Sequence, residues 1–386
     1  MENTKILVLG GGVYHISLVK AIREMNLNCI AVSYFAHDPA LQYANASFNI
    51  SSTDIGALSE LINTQKVTHI ITTASEINTF TQAELNQNFG FNGVFTSMVK
   101  AVSHKPELVS LLYSLKLPTP KTDIIDLSKQ QAATYLKYSN QLIFKPARGS
   151  GSVGVFRELE DYPTEKSGEL YLVQDYIEGE DISGQAVIED GKVCFIAFSK
   201  KWGVREYVPF VHWISDEIRI EYGDDISAQI NAVNNKIGFK TGTISFDVRL
   251  GDEAYLIDYS LRLSGNMLIE AMNEAYDIDM FQHHIRQVLD LPRSLKADYS
   301  NDKQVIAIIL GTASASSELS ILRQKIEQLI DAYPSVNVHQ LYWDDLQVSE
   351  PFLNSRNRIG HALLSAQKKE ELEELALKIK HVLGFE

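Results

Sequence analysis

The chain has 386 residues, 45% hydrophobic and 22% charged, which is the composition of a globular protein with room for roughly two to three domains. Its formal net charge of −14 argues against a nucleic-acid partner, which would need clustered positive charge. The two cysteines lie far apart, so neither a disulfide framework nor a cysteine metal site is indicated. No apolar run reaches the ~18 residues of a membrane span and no signal peptide is evident, so we expect a soluble cytoplasmic protein.

The N-terminal residues follow the order strand, glycine turn, helix, strand. A buried-strand pattern at 5–9 leads into glycines at 10–12, and apolar residues recur at helical spacing in 15–25 before a second strand at 29–32. This order predicts a doubly wound parallel-sheet domain. Dinucleotide binding is a minor alternative, because His15 stands where the third glycine of the dinucleotide pattern belongs.

A further strand pattern at 68–72 is followed by small polar residues at 73–76. In open α/β sheets the carboxyl ends of the strands form the edge at which ligands bind. Glu76 is therefore a candidate for binding an amine. The alternative is an ordinary carboxylate at a helix start, where negative charge is favourable.

The segment 142–155 combines a lysine with a glycine-rich loop. An apolar run at 142–144 delivers Lys145, and the small residues of 148–154 follow. Its three glycines let the backbone adopt positive φ, and successive N–H groups in such a turn suit phosphate oxygens. Lys145 supplies a positive charge beside them. A surface hairpin with a flexible tip is the alternative.

The middle of the chain is rich in strand patterns. Residues 170–177 predict a strand that runs into an acidic stretch at 178–181. Two alternating runs joined by 189–192 predict a hairpin, and 225–238 predicts a helix. The adjacent histidines at 283–284 lack the i, i+4 spacing of a metal pair, and we expect them on a helix surface.

Two aspartates lie inside the apolar strands predicted at 243–250 and 254–259. Asp247 and Asp258 would be costly to bury there unless each is paired or binds a metal. With Arg262 close behind, they predict a site for a hard cation with a basic neighbour. A structural Asp–Arg ion pair is the alternative.

The pattern changes again after residue 304. Strands are predicted at 305–310 and 359–364, and helices at 317–332 and 368–383. Together they predict a small α+β cap.

These parts, in this order, resemble the ATP-grasp superfamily over most of the chain. Lys105 heads a helix, 144–155 looks like the superfamily's Lys-Pro strand and glycine flap, 173–181 its hinge, and 256–266 its metal-binding strand. The resemblance implies a Rossmann-like pre-ATP-grasp domain at 1–103 and a two-lobe α+β ATP-grasp domain at 104–300, with the small lobe at about 120–180. It also implies an α+β cap at 301–386.

The resemblance implies ATP as cofactor. Lys105 and Lys145 would contact the α/β-phosphates, the flap amides would cover the β/γ-phosphates, and the hinge would meet adenine and, through Asp181 or Glu180, ribose. The implied nucleotide-binding residues are Lys105, Lys145, Gly149, Ser150, Gly151, Ser152, Val153, Gly154, Gln174, Asp175, Tyr176, Ile177 and Asp181.

Metal, catalytic and substrate roles are implied in the same way. Asp247, Asp258 and Ser260 would hold Mg²⁺, with Mn²⁺ as an alternative, although Asp258 replaces the usual Glu and Ser260 the usual Asn. Lys145 and Arg262 would be catalytic, Arg262 by stabilising an acyl-phosphate and its tetrahedral adduct. The substrate cavity would be lined by 73–76, 200–205 and 261–267, and the candidate substrate residues are Glu76, Arg205, Ser264, Gly265 and Asn266.

The resemblance therefore implies an ATP-dependent carboxylate–amine ligase. It would form an acyl-phosphate, couple it to the amine of an amino acid or similar metabolite, and release ADP and phosphate. A homodimer is common in the superfamily. The alternatives are a bicarbonate-using carboxylase-like member, a non-catalytic ATP-binding protein, and a nicotinamide oxidoreductase based on 10–12.

Overall fold

The structure is a computed structural model, and it describes most of the chain. The described residues are 4–138, 141–149, 151, 153–158, 160, 169–205, 208–300, 302–354 and 357–386. The side chains of Lys129, Tyr138 and Arg205 lie outside this description.

The N-terminal unit is a four-stranded parallel sheet, as the sequence predicts. Its strands are β1 (Lys5–Leu9), β2 (Asn28–Ser33), β3 (Ala46–Asn49) and β4 (His69–Ile71), in the order β3-β2-β1-β4. Its helices are α1 (Ile16–Glu24), α2 (Ile55–Gln65) and α3 (Glu76–Phe89). Parallel strands end at one edge of a sheet, so the turn at 10–12 and the segment 72–76 lie at the same edge.

Two helices and a small antiparallel sheet follow. The helices are α4 (Thr96–Ser103) and α5 (Lys105–Ser114). The sheet has the order β5-β7-β6 and consists of β5 (Thr122–Asp126), β6 (Leu142–Pro146) and β7 (Leu170–Asp175), with α6 (Lys129–Tyr138) between β5 and β6 in the chain. The rings of Phe144 and Phe156 stack with centroids 4.6 Å apart, which packs the end of the glycine loop against β6.

The largest sheet has eight antiparallel strands in the order β12-β11-β8-β9-β10-β13-β15-β14. Its strands are β8 (Glu180–Glu189), β9 (Lys192–Arg205), β10 (Val208–Ile214), β11 (Gly242–Leu250), β12 (Ala254–Ser260), β13 (Gln304–Leu310), β14 (Asn337–Trp343) and β15 (Gly360–Ala366). Its helices are α7 (Asp216–Ile237), α8 (Leu268–Tyr276), α9 (Met280–Val288), α10 (Leu319–Asp331) and α11 (Lys369–Val382).

The C-terminal strands continue this large sheet, since β13 pairs with β10 through residues 211–213. Residues 301–386 are nonetheless an α+β segment, as predicted, and the proposed domain boundaries at 103/104 and 300/301 stay a prediction. Within the described residues, none of the helices has the length and apolarity that crossing a membrane requires.

Local sequence signals explain several element boundaries. The hairpin predicted at 189–192 turns at Asp190 and Gly191, whose φ angles are 51° and 77°, the positive pair that a type I′ turn needs. The helix predicted at 225–238 is longer than expected and begins at Asp216, because buried Ile218 extends its apolar face into a polar stretch.

The prediction for the adjacent histidines is wrong. His283 and His284 are only 5% and 8% exposed on α9. His283 Nε2 lies 3.3 Å from Glu189 Oε1, and His284 Nδ1 lies 3.4 Å from Gln287 Oε1. Polar partners from the packed elements allow both rings to be buried, which helical spacing alone does not reveal.

Gly179, between β7 and β8, has a backbone that only glycine fits. Its φ is +147°, and a Cβ there would lie 1.7 Å from the carbonyl oxygen of Leu250. We expect Gly179→Ala to destabilise the fold by at least about 2 kcal/mol, because a backbone clash cannot be relieved by a rotamer change. Thermal unfolding followed by circular dichroism measures the effect.

Gly238→Ala is the matched control. Gly238 also has positive φ, +76°, but no atom lies within 4 Å of a Cβ placed there. That variant should lose only about 1 kcal/mol of left-handed strain. Equal losses in the two variants would contradict the importance of the contact with Leu250.

Candidate active site

A cleft of about 900 Å³ lies between the small sheet, the β12-β11-β8-β9-β10 part of the large sheet and the ligand edge of the N-terminal sheet. Strand alternation decides which side chains line it. Ser245, Asp247 and Arg249 share one face of β11 and line the cleft, whereas Val248, on the other face, is fully buried.

Most of the residues predicted from the sequence meet in this cleft. They are Lys105, Lys145, Gly149, Gly151, Val153, Gln174, Asp175, Tyr176, Ile177, Asp181, Asp247, Asp258, Ser260, Arg262, Ser264, Gly265 and Asn266. Gly154 lies away from it, with its carbonyl accepting from the Tyr171 hydroxyl at 3.2 Å. Ser150, Ser152 and the Arg205 side chain are outside the described part of the chain.

Two lysines approach the cleft from different elements. Lys105, at the start of α5, donates from Nζ to the carbonyl of Gly149 at 2.8 Å. Lys145, on β6, forms no ion pair with any described residue. Burial lowers the pKa of Lys145 to about 8, although Asp181 opposes the shift. A bound anion would favour the charged form of this partly buried lysine.

Arg249 contacts three residues of the predicted hinge at 173–181, although the sequence patterns did not indicate a role for it. Its Nη1 lies 3.1 Å from Asp181 Oδ1, its Nε donates to the Ile177 carbonyl at 2.7 Å, and its Nη2 donates to the Tyr176 hydroxyl. One guanidinium thus holds three parts of the predicted adenine and ribose segment. Its alternation with Asp247 along β11 is the signal that sequence reasoning could have used.

The two aspartates predicted to bind metal are directly opposite each other, Asp247 on β11 and Asp258 on β12. Asp247 Oδ1 lies 3.0 Å from Lys201 Nζ and accepts from the Ser183 hydroxyl at 2.6 Å. Burial alone would raise the pKa of Asp247, but Lys201 and Ser183 outweigh it and hold that pKa below its usual value. No described carboxylate forms an ion pair with Arg262, so the Asp–Arg alternative is not formed.

The residues present fit an Mg²⁺ ion that is held by two carboxylates together with the phosphates of a nucleotide. Within the described ranges, no cluster of three His, Cys, Asp or Glu side chains could hold a metal. Magnesium, however, usually binds one or two carboxylates together with substrate phosphates and water. The opposed pair of Asp247 and Asp258 fits a metal delivered with a nucleotide, with Ser260 beside it in the cleft.

Arg262 is a partly buried cation whose hydrogen bonds are incomplete. Its Nη1 donates to the Leu263 carbonyl at 3.0 Å, while its buried Nε has no partner among the described residues. Burial lowers the pKa of Arg262, and nearby Asp258 and Glu76 oppose that shift. A guanidinium in this state is suited to receiving a planar or tetrahedral anion.

Glu76 shares this charged environment at the start of α3. Burial, followed by Asp258, raises its pKa to about 7, while Lys105 and Arg262 oppose the rise. The sequence places Glu76 at a ligand edge, and the structure places it close enough to Asp258 and Arg262 to interact with both.

The N-terminal unit holds the opposite wall of the cleft. The Ala74 N–H donates to the Leu263 carbonyl at 3.0 Å, and the Tyr14 hydroxyl donates to Asn266 Oδ1 at 2.9 Å. The N–H and hydroxyl of Ser264 both donate to buried Gln185 Oε1 at 3.0 Å. Tyr14 follows the glycine turn, yet sequence reasoning did not select it.

The glycine turn itself is filled by a side chain. A Cβ at Gly10 would lie 2.2 Å from His15 Nε2, so the imidazole packs directly over this glycine. A dinucleotide would need that surface open for its pyrophosphate. The structure therefore gives no support to the nicotinamide alternative.

Comparison with known proteins identifies the central unit. A family model described as an ATP-grasp domain matches residues 102–211. The chain carries an ATP-grasp domain. The resemblance predicted from the sequence is confirmed.

Two curated relatives align with this chain along nearly its whole length. It is 22% identical to a formate-dependent phosphoribosylglycinamide formyltransferase from Tolumonas auensis, covering 97% of this chain and 95% of the relative. It is 23% identical to the protein of the same name from Methanocaldococcus jannaschii, covering 99% and 97%.

Solved structures share the fold. An L-amino acid ligase from Bacillus licheniformis has a TM-score of 0.77 at 13% identity, covering 98% of this chain and 97% of that one. A carboxyaminoimidazole ribonucleotide synthase from Aspergillus clavatus, complexed with ATP, has a TM-score of 0.77 at 16% identity, with 99% of each chain covered. The chain thus shares its overall fold with these two structures over nearly its whole length.

The raised pKa of Glu76 predicts a pH-dependent stability. Because the pKa rises from 4.5 in the unfolded chain to about 7 in the fold, the folded protein holds this proton more tightly. Stability from this group is full below pH 4.5 and is lost as the pH rises through 7. Relative to Glu76→Gln, the wild type should therefore lose about 1–3 kcal/mol of unfolding free energy as the pH rises across this range.

Thermal unfolding of both proteins at each end of the range measures this difference. The glutamine side chain does not titrate, so any change with pH in the stability difference between the two proteins reports the titration of Glu76. A stability difference that stays constant from acidic to mildly alkaline pH would contradict the raised pKa of Glu76.

Proposed function

We propose that the protein is an ATP-dependent ligase that activates a small carboxylate as an acyl-phosphate and couples it to an amine. One observation carries the proposal. Lys145 and Arg262, two partly buried cations that form no ion pair with a described carboxylate, line the same cleft as the opposed pair of Asp247 and Asp258. Such a set is complementary to a nucleotide triphosphate with its metal.

The nucleotide would lie along the hinge. The segment 174–177 lines the cleft beside Asp181, which Arg249 holds, and these residues would bind adenine and ribose. Lys105 and Lys145 would meet the phosphates, together with backbone amides of the glycine loop. Mg²⁺, when bound to Asp247 and Asp258, would neutralise charge on the transferring phosphoryl group.

The chemistry proceeds in two balanced steps. A carboxylate oxygen attacks the γ-phosphorus of ATP, the bond from that phosphorus to the β–γ bridging oxygen breaks, and ADP leaves. The amine nitrogen then attacks the acyl carbon, the bond from that carbon to the phosphate oxygen breaks, and phosphate and a proton are released. Arg262 would stabilise the negative charge that develops in both steps.

The substrates are proposed to be small molecules. The relatives are named for a formyltransferase acting on phosphoribosylglycinamide and for an L-amino acid ligase, which supports a small carboxylate and an amine. Glu76, Ser264, Gly265 and Asn266 would contact the amine substrate. Carboxylate binding by Arg205, a homodimer and a cytoplasmic location remain proposals from the sequence.

Release of ADP and phosphate tests the function. The protein would be incubated with MgATP and pools of small carboxylates and amines, with formate, amino acids and bicarbonate as separate arms, and the products detected by mass. ADP release that depends on one carboxylate and one amine, with a condensed product, is expected. Dependence on bicarbonate would favour the carboxylase-like alternative, and nucleotide binding without ADP release from any pool would contradict the ligase.

Lys145→Met should lower the rate of ADP release by about 10²–10³-fold, because it removes a positive charge from the proposed phosphate site. The measurement is kcat with the substrates that the pools identify. Lys121→Met, an exposed lysine beside the same small sheet, is the charge-matched control and should retain the rate. Full activity of the Lys145 variant would contradict the proposed phosphate site.

Asp258→Asn should raise the Mg²⁺ concentration needed for ATP binding by about tenfold, because it removes one of two carboxylates from the proposed metal site. Calorimetric titration of ATP at several Mg²⁺ concentrations measures this. Asp224→Asn, on the exposed part of α7, is the control. A Mg²⁺ dependence unchanged by Asp258→Asn would exclude that carboxylate as a ligand.

A further inference from the structure

Two side chains that line the cleft are assigned no contact with the nucleotide in the function proposed above. Lys201 on β9 and His212 on β10 are directly opposite each other in the antiparallel ladder. Both line the cleft. In the strand order β12-β11-β8-β9-β10, strand β8 separates these two strands from β11 and β12, which carry Asp247 and Asp258.

His212 is buried with half of its hydrogen-bonding capacity unused. It is 3% exposed, its Nδ1 lies 3.1 Å from the Ser199 hydroxyl, and its Nε2 has no partner among the described residues. Burial, assisted by Lys201 and opposed by Asp247, lowers the pKa of His212 to about 4, so the ring is neutral at neutral pH. If the Ser199 hydroxyl donates to Nδ1, the proton is on Nε2, which becomes a donor available to a ligand.

Lys201 also has donors to spare. Its Nζ lies 3.0 Å from Asp247 Oδ1, and its side chain is only 16% exposed. An ammonium carries three N–H donors, and this contact uses one of them.

We propose that Lys201 and His212 bind the carboxylate of the acid substrate. One charged and one neutral donor, in a largely buried place, suit a carboxylate oxygen. Lys201 also contacts Asp247, so the acid would lie next to the proposed metal and γ-phosphate. This inference rests on the proposed ligase function, which makes a carboxylic acid one of the substrates.

Ser199 acts in this site as a positioning residue. Its hydroxyl is fully buried beneath His212. By donating to Nδ1 it would fix the proton on Nε2, in the way that a partner of one ring nitrogen sets the state of the other.

Side-chain NMR on protein labelled with ¹⁵N-histidine tests the site without requiring turnover. The chain has 10 histidines, and loss of one signal in His212→Gln assigns His212. We expect the His212 shifts to report a proton on Nε2, and acetate to move them saturably, in the presence or absence of MgADP. Failure to bind MgADP would count against the proposed function, whereas failure of acetate to move the signal would overturn this inference alone.

Matched variants sharpen the test. Lys201→Met should weaken acetate binding by about tenfold or more, through loss of a charge-assisted hydrogen bond. Lys192→Met removes the same charge at an exposed position on the same strand, β9, away from the residues that line the cleft, and should leave acetate binding unchanged. His284→Gln removes another buried histidine and should also leave it unchanged.

Three results would overturn the proposal. A proton on Nδ1 of His212 would leave no donor on Nε2. A response to inorganic phosphate but not to acetate would assign the pair to phosphoryl oxygens. Equal acetate binding by Lys201→Met and the wild type would remove Lys201 from the site.

Discussion

The cleft depends on the burial of charge along one face of an antiparallel ladder. Asp258, Asp247 and Ser183 follow one another on β12, β11 and β8 in direct register, and Lys201 reaches Asp247 from β9. Because side chains alternate along a strand, a slip of one residue would send this polar face into the apolar core. The register therefore fixes both the fold of the large sheet and the chemistry of its exposed face.

Charges in this cleft are balanced unevenly. The carboxylates of Asp181 and Asp247 already have cationic partners, Arg249 and Lys201. The cations Lys145 and Arg262, by contrast, form no ion pair with any carboxylate within the described residues. The lowered pKa values of these two cations reflect the cost of burying positive charge without an anion. A site in this condition is prepared for phosphate and carboxylate oxygens, which would supply the missing negative charge.

The N-terminal unit completes the cleft. A bridge between Thr73 and Leu263 joins the ligand edge of the parallel sheet to the loop after β12, and Tyr14 contacts both Asn266 and His361. His361 lies on β15, so one tyrosine connects three distant parts of the chain. The substrate end of the cleft is therefore built by elements far apart in sequence, and its shape depends on how they pack.

Sequence patterns alone predict the parallel N-terminal sheet, the Asp190–Gly191 hairpin and the ATP-grasp resemblance. Each is recorded locally, in strand periodicity, in a turn that needs positive φ or in a motif of contiguous residues. Only the tertiary structure revealed the place of Arg249 against Asp181, the contact of Lys201 with Asp247 and the burial of His212, His283 and His284. Those depend on strand register and on packing between distant segments, which hydrophobic periodicity does not encode.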